Sequence, residues 1–368
     1  MSTKYSFLFE TSVIGNLEIP NRLVVAPMTR VSAEKDGTVG PLMKDYYKAF
    51  AAGGFGLIIT EGLYTDQLYS QAYLDQPGIA TQEQALSWEP VIKEVHDRNS
   101  VIFAQLMHAG ALSQFNRFVG ITKGPSAVQP LGEQMPFYHG SGPYQVPKAM
   151  TQQDIDAVIK GFSEAAVLAK NAGFDGVEIH GANGYLLDQF LTGYTNKRDD
   201  LYGGSIEGRL CIYREVANAV RAAVGDEFVI GFRFSQKKVN DIEHVWEDGE
   251  DAAKQAFSLM RDCAVDYIHT AEPNINDAAF SGSAPLSELA KKYSGLPVIA
   301  NGGVSAPETA NVTLKNEQAD FVALGKIALA NQDWPAVVKA EGILNTFDFS
   351  MLSPIANLSS AKNYFSLN

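Results

Sequence analysis

Gly176-Val177-Glu178-Ile179-His180-Gly181-Ala182-Asn183-Gly184-Tyr185 decides how the chain is read. The first four residues make a short, mainly apolar run of the kind that forms a buried strand. Three hydrogen-bonding side chains, His180, Asn183 and Tyr185, follow it at once. A strand is therefore expected to present polar groups at its C-terminal end. Asn183 stands three residues after His180, a spacing that brings both to one side if the chain takes a helical turn there. Gly181 and Gly184 permit tight backbone at the same place. The competing reading is a satisfied core histidine followed by two ordinary loop formers, and the surrounding chain has to choose between them.

Upstream, Thr151 with Asp154 three residues on opens a helix in the manner of a capping box. Before it, Val101–His108 reads as a strand with Gln105 among apolar neighbours, and Glu83–Asn99 as a helix. Leu57–Thr60 reads as a strand, Lys44–Ala52 as a helix stopped by Gly53-Gly54, and Leu23–Met28 as the first strand. Downstream, Ser205 is placed to cap a helix running to about Val224. The strand Phe228–Phe234 then carries Arg233, which a structural carboxylate such as Glu178 is able to pair. A helix over Asp248–Ala264, a strand at Tyr267–Thr270, a helix at Leu286–Tyr293 and a strand at Pro297–Asn301 come next. Ser305, Pro307 and Glu308 suggest a capping box on the following helix; Phe321–Gly325 is the last strand, and a helical tail ends the chain.

Eight short strands alternating with helices imply parallel βαβ units, and eight such units closing on themselves make an α/β TIM (β/α)8 barrel. No linker or charge run divides the chain, so 1–368 is expected to be a single domain. A doubly wound sheet is the other candidate. It ordinarily shows a glycine-rich fingerprint after the first strand, where this chain has Pro27-Met28-Thr29-Arg30. The connection after the third strand, 109–150, is long and carries Pro125, Pro130, Pro136, Pro143 and Pro147 with Phe115, Phe118, Phe137, Tyr138 and Tyr144. Connections of that length are functional or disordered. The aromatic residues favour an ordered, lid-like insertion over the substrate, with a hairpin around Tyr138–Tyr144.

A net charge of −13 with no basic cluster argues against nucleic acid and anionic membrane surfaces. No run approaches the roughly 18 apolar residues of a membrane span, and the first ten residues lack a secretory signal's apolar core. Cytoplasm is the expected location. Cys211 and Cys263 are the only cysteines. Separated in sequence and set in helical patterns, they read as reduced structural thiols, too few for an iron–sulfur cluster, which takes about four.

In a barrel the reactive groups gather at the strands' C-terminal ends, with phosphate held after strands seven and eight. Gly302-Gly303 and Gly325-Lys326 stand at those two ends, where glycines let backbone N–H groups approach an anion and lysine adds charge. Thr29, Gln105, His180 and Arg233 project polar groups from strands one, three, four and five.

With these residues in view, five blocks resemble the old yellow enzyme family of FMN-dependent ene-reductases. They are Asn21–Arg30, Gly56–Gly62, Gln105–Gly110, His180–Leu191 and Tyr202–Arg209. The resemblance covers essentially the whole chain, and the fourth block is highly specific. It implies non-covalent FMN across the strand ends and NAD(P)H as hydride donor. Carried over residue by residue, Thr29 hydrogen-bonds the flavin C4 carbonyl and Gln105 meets the pyrimidine edge. Arg233 lies beside N1 and the C2 carbonyl, stabilising the reduced anion. Pro27, Met28, Gly62 and Asn301 join the cofactor's surroundings, while Gly302, Gly303, Gly325 and Lys326 hold its phosphate. His180 and Asn183 bind the carbonyl oxygen of an α,β-unsaturated substrate, and Tyr185 protonates its α carbon. The two half-reactions share one site, so the kinetics are expected to be ping-pong.

Where the family commonly carries arginine, this chain has Lys326, which keeps the charge and loses the bidentate fork. Thr29 stands where a branch of the family has cysteine, and Asn183 where others have a second histidine. Reduction of nitro groups or nitrate esters, a flavin-binding protein without turnover, and a cofactor-free barrel aldolase or isomerase are the other readings. A monomer and a homodimer both fit the sequence.

Overall fold

The computed structural model describes residues 4–367. Its organising sheet is built from β1 (Leu23–Val25), β2 (Leu57–Ile59), β3 (Val101–Met107), β4 (Gly176–His180), β5 (Val229–Phe234), β6 (Tyr267–Ala271), β7 (Val298–Asn301) and β8 (Phe321–Leu324). Each pairs in parallel with the next. The ring closes where Val322 of β8 meets Leu23 of β1. Outside it lie α1 (Pro41–Ala52), α2 (Glu89–His96), α3 (Gln152–Ala172), α4 (Cys211–Val224), α5 (Gly249–Asp262), α6 (Leu286–Ser294), α7 (Pro307–Lys315) and α8 (Trp334–Lys339). This is the expected TIM barrel.

Strand alternation divides the core in two. Val177 and Ile179 of β4 point outward to pack with the helices, whereas Glu178 and His180 point into the barrel with Phe103, Val229, Tyr267, Ile299 and Phe321. A hairpin of Ser12–Ile14 and Leu17–Ile19 plugs the barrel's N-terminal end with Ile14 and Ile19. Phe103 stacks on Tyr267 with ring centroids 5.7 Å apart. Gly231 makes that possible, because a Cβ there stands 1.9 Å from the Tyr267 ring. Above this apolar plug the inward positions turn polar, as Gln105, Glu178, Arg233 and His269, all buried. The polar layer is the floor of the site.

Several helix boundaries differ from expectation. The helix expected over Glu83–Asn99 is two pieces, Gln82–Ser87 and α2, since Pro90 lacks the N–H that would continue the ladder. The one expected from Ser205 breaks at Leu210 into Ile206–Arg209, capped by Ser205, and α4. α1 starts at Pro41 rather than Lys44, with proline in its favoured first position. The expected capping box at Ser305 does not form. Ala306, held extended by the following proline, is the N-cap, and Glu308 binds Lys4 and Tyr5 instead. The box at Thr151 and Asp154 does form. In the 109–150 insertion no hairpin forms at Tyr138–Tyr144. The chain folds back through a Glu133–Pro143 bridge around the short turn Pro136–Tyr138. Cys211 and Cys263 are buried free thiols. Among the described residues no helix is long and apolar enough to cross a membrane, and no cluster of potential metal ligands occurs.

Candidate active site

β4 ends at His180, and the chain then turns sharply. Gly181 donates its N–H to the Arg233 carbonyl at 3.0 Å and accepts the Tyr213 hydroxyl at 2.8 Å. A Cβ at Gly181 would lie 2.4 Å from the Phe232 ring, so glycine is required. Asn183 takes a left-handed backbone, φ +61°, which asparagine tolerates better than most residues. The helical turn suggested by the spacing is thus absent. The side chains of His180 and Asn183 nevertheless face one cavity, with Tyr185 beside them, its ring edge-on to His180 at 5.0 Å.

That cavity, about 330 Å3, also receives Pro27, Met28, Thr29, Gly62, Gln105, Arg233, Asn301, Gly325 and Lys326. Gly302 and Gly303 stand in an adjoining space of about 470 Å3 that shares Asn301, Gly325 and Lys326 with the first. Every residue singled out from the sequence therefore lies along one continuous hollow over the strand ends.

The polar floor is ordered by hydrogen bonds. Glu178 accepts from Gln105 Nε2 at 2.8 Å, Tyr267 Oη at 3.0 Å and His269 Nδ1 at 2.8 Å. Burial alone would raise the Glu178 pKa, but the His269 ring, the charge of Arg233 and the Gln105 amide outweigh it and bring it down to about 2. Arg233 donates to Asn301 Oδ1 at 3.0 Å rather than pairing with Glu178, and its Nε is buried without a partner. With its Nε2 spent on Glu178, Gln105 keeps its carbonyl oxygen for the cavity it lines.

Burial, and after it the charge of Arg233, lowers the His180 pKa to about 3, so the ring is neutral at ordinary pH. Its Nδ1 accepts the Ala182 N–H at 3.3 Å, which leaves the proton on Nε2 as a donor. Tyr185 is pushed well up by burial, and a hydrogen bond from Tyr73 pulls back against that. Tyr73 is fully buried with its hydroxyl 2.5 Å from that of Tyr185. Nothing in the sequence reading singled out Tyr73, which sits in an irregular loop after β2 with no periodicity to mark it. Phe137 and Tyr138 of the insertion line the cavity, as their aromatic character suggested, whereas Leu352 from the C-terminal segment lines it and was as unmarked as Tyr73.

The donor set suits a flavin nucleotide. A buried guanidinium with an unpartnered Nε faces the centre of the hollow, amide and hydroxyl groups flank it, and at the far end stand glycine backbone and the exposed ammonium of Lys326. A side chain at Gly325 would project into this space, since nothing lies nearer its Cβ than Met28 Sδ at 3.8 Å.

Barrel and site together define a flavin-dependent oxidoreductase. The chain belongs to the NADH:flavin oxidoreductase / NADH oxidase family, whose model matches residues 7–345, the family of the old yellow enzymes. It is 34% identical over 345 residues to 12-oxophytodienoate reductase 1 of Oryza sativa subsp. japonica, covering 92% of this chain and 87% of that one. It is also 34% identical over 348 residues to the NADH oxidase of Thermoanaerobacter brockii, covering 92% of this chain but about half, 51%, of that longer protein. The solved old yellow enzyme homologue from Zymomonas mobilis superposes with a TM-score of 0.85 at 29% identity, covering 96% of this chain and 99% of that one. The protein is an NAD(P)H-dependent oxidoreductase that uses FMN.

Proposed function

We propose that this protein reduces the activated C=C bond of α,β-unsaturated carbonyl compounds. The observation that carries the reading is the convergence on one cavity of a neutral histidine with its proton on Nε2, an amide and a buried phenol. Bound FMN supplies the hydride chemistry, from a reduced nicotinamide to the alkene. Thr29, Gln105 and Arg233 would hold its ring, with the fixed positive charge of Arg233 beside it. Gly302, Gly303, Gly325 and Lys326 hold its phosphate. His180 Nε2–H and the Asn183 amide donate to the substrate carbonyl oxygen, where negative charge gathers as the bond is reduced. Tyr185 gives its hydroxyl proton to the α carbon, and the Tyr73 hydroxyl donates to the Tyr185 oxygen left behind. The nicotinamide uses the same pair of donors, so the two half-reactions alternate at one site.

An anaerobic titration tests this. NADPH is expected to bleach the yellow protein, and 2-cyclohexenone to restore the colour with release of cyclohexanone. Colour restored by a nitroaromatic but not by the enone would overturn the reading.

A further inference from the structure

Beside the turn that carries Asn183 and Tyr185 lies a buried ion pair. Lys238 Nζ stands 2.8 Å from both carboxylate oxygens of Asp188, with the two side chains 2% and 0% exposed. Asp188 lies in the short helix Leu186–Leu191 that follows Tyr185, and its Oδ2 also accepts the Gly184 N–H at 2.6 Å. Lys238 comes from the segment after β5, which grips Asn183 from both sides. Asn183 donates its N–H to Ser235 Oγ at 2.8 Å and accepts the Val239 N–H at 3.1 Å. The turn itself is left-handed at two successive residues, Asn183 and Gly184, a conformation that persists where the surroundings over-determine it.

A buried pair of opposite charges is a poor source of stability, because two well-packed apolar groups of similar volume do as well or better. What it does supply is a fixed direction and a fixed separation. We propose that the Lys238–Asp188 pair positions the reacting groups, locking the post-β5 segment to the turn so that the Asn183 amide and the Tyr185 hydroxyl meet one substrate. Both are positioning residues, since neither lines the cavity holding His180 and Tyr185. The inference rests on the reading that Asn183 and Tyr185 handle an activated alkene. A misplacement of about 1 Å of such groups costs on the order of 10²-fold in rate.

The test compares FMN-loaded wild type with Lys238→Met and with the double variant Lys238→Met, Asp188→Asn. The single variant strands a buried carboxylate and is expected to melt at lower temperature, or not to fold. The double variant removes that charge, keeps an acceptor for the Gly184 N–H and is expected to melt near wild type. Its reoxidation by 2-cyclohexenone is nevertheless expected to be about 10²-fold slower, with kcat reduced more than KM rises. Reduction by NADPH, which uses the Asn183 amide but not the Tyr185 hydroxyl, should slow by less than reoxidation does, and the Gly184 and Tyr185 amides should exchange faster with solvent. A double variant with wild-type reoxidation and wild-type amide exchange overturns the proposal and leaves the pair purely structural. Failure of the reading beneath it looks different: reduced wild type is then not reoxidised by 2-cyclohexenone at all, while amide exchange still reports whether the pair holds the turn.

Discussion

In the proposed reaction the Tyr185 hydroxyl has to be both a proton donor to carbon and a group that recovers its proton each cycle. Burial raises its pKa, which by itself makes the phenol a reluctant acid; the Tyr73 hydroxyl at 2.5 Å, and after it the charge of Arg233, counter this. Tyr185→Phe is expected to slow alkene reduction by about 10²- to 10⁴-fold, the usual worth of a positioned proton donor. Stopped-flow reduction by nicotinamide should stay nearly unchanged. Tyr73→Phe removes only the hydrogen bond and is expected to slow the same half-reaction by about 10-fold, the worth of one hydrogen bond of roughly 1.4 kcal/mol. Equal damage to both half-reactions in Tyr185→Phe would contradict its assignment as proton donor. His180 gives a pH prediction. Its pKa is depressed to about 3 by burial and by Arg233, so the ring stays neutral above that value and gains its proton only as pH falls through it. The kcat/KM profile for the alkene is therefore expected to show no limb near the ordinary histidine value of about 6.5. A limb there that vanishes in His180→Asn would show a ring that titrates normally.

Among the elements, Glu61 joins three. Fully buried just past β2, it accepts the Arg30 N–H beyond β1 at 2.9 Å and lies within 3.4 Å of the Tyr47 hydroxyl on α1. Burial raises its pKa from 4.5 to about 7, with Arg30 opposing. Folding thus favours the protonated form. The stability this contributes is complete below about pH 4.5 and is lost as pH rises through about 7. Thermal melts of Glu61→Gln should accordingly gain on wild type between pH 5 and pH 8, and a constant difference across that range would refute the raised pKa. The strands were legible in the sequence because a doubly buried strand needs a mainly apolar run and the polar residue ending it stands out, as His180 does after Val177 and Ile179. Helix starts were less so. Whether Thr151 or Ser305 caps a helix depends on one backbone angle, and Pro307 fixes that angle at Ala306 against the capping reading. The site residues on strand ends were legible for the same reason as the strands. Tyr73, Lys238 and Leu352 sit on irregular segments, where only tertiary contacts bring them to the hollow or the turn, so periodicity says nothing of them.

Over the whole molecule the hollow is lined from Ala26 to Leu352, and its far end includes Thr346 and Phe347, just past the stretch that the family model matches. A ligand that bridges so many elements binds the folded chain and not the unfolded one, so FMN is expected to raise the melting temperature in proportion to ln(1 + [FMN]/Kd). At 100 times Kd the gain is about 2.7 kcal/mol. On the proposed assignment of the phosphate, Lys326 sets how steep that gain is at a given concentration. Its ammonium lies over the Phe349 ring at 5.0 Å, on the exposed rim of the phosphate end, and it offers a point charge where arginine offers a planar fork matched to phosphate oxygens. Lys326→Arg is therefore expected to tighten FMN severalfold and to enlarge the FMN-dependent shift in melting temperature, with the FMN-free protein melting as before. Fluorescence titration of the apoprotein gives Kd directly, and scanning calorimetry with and without FMN gives the shift. If arginine alters neither, the phosphate is held by the backbone at Gly302, Gly303 and Gly325, and the lysine contributes no more than general charge to a chain whose net charge is −13.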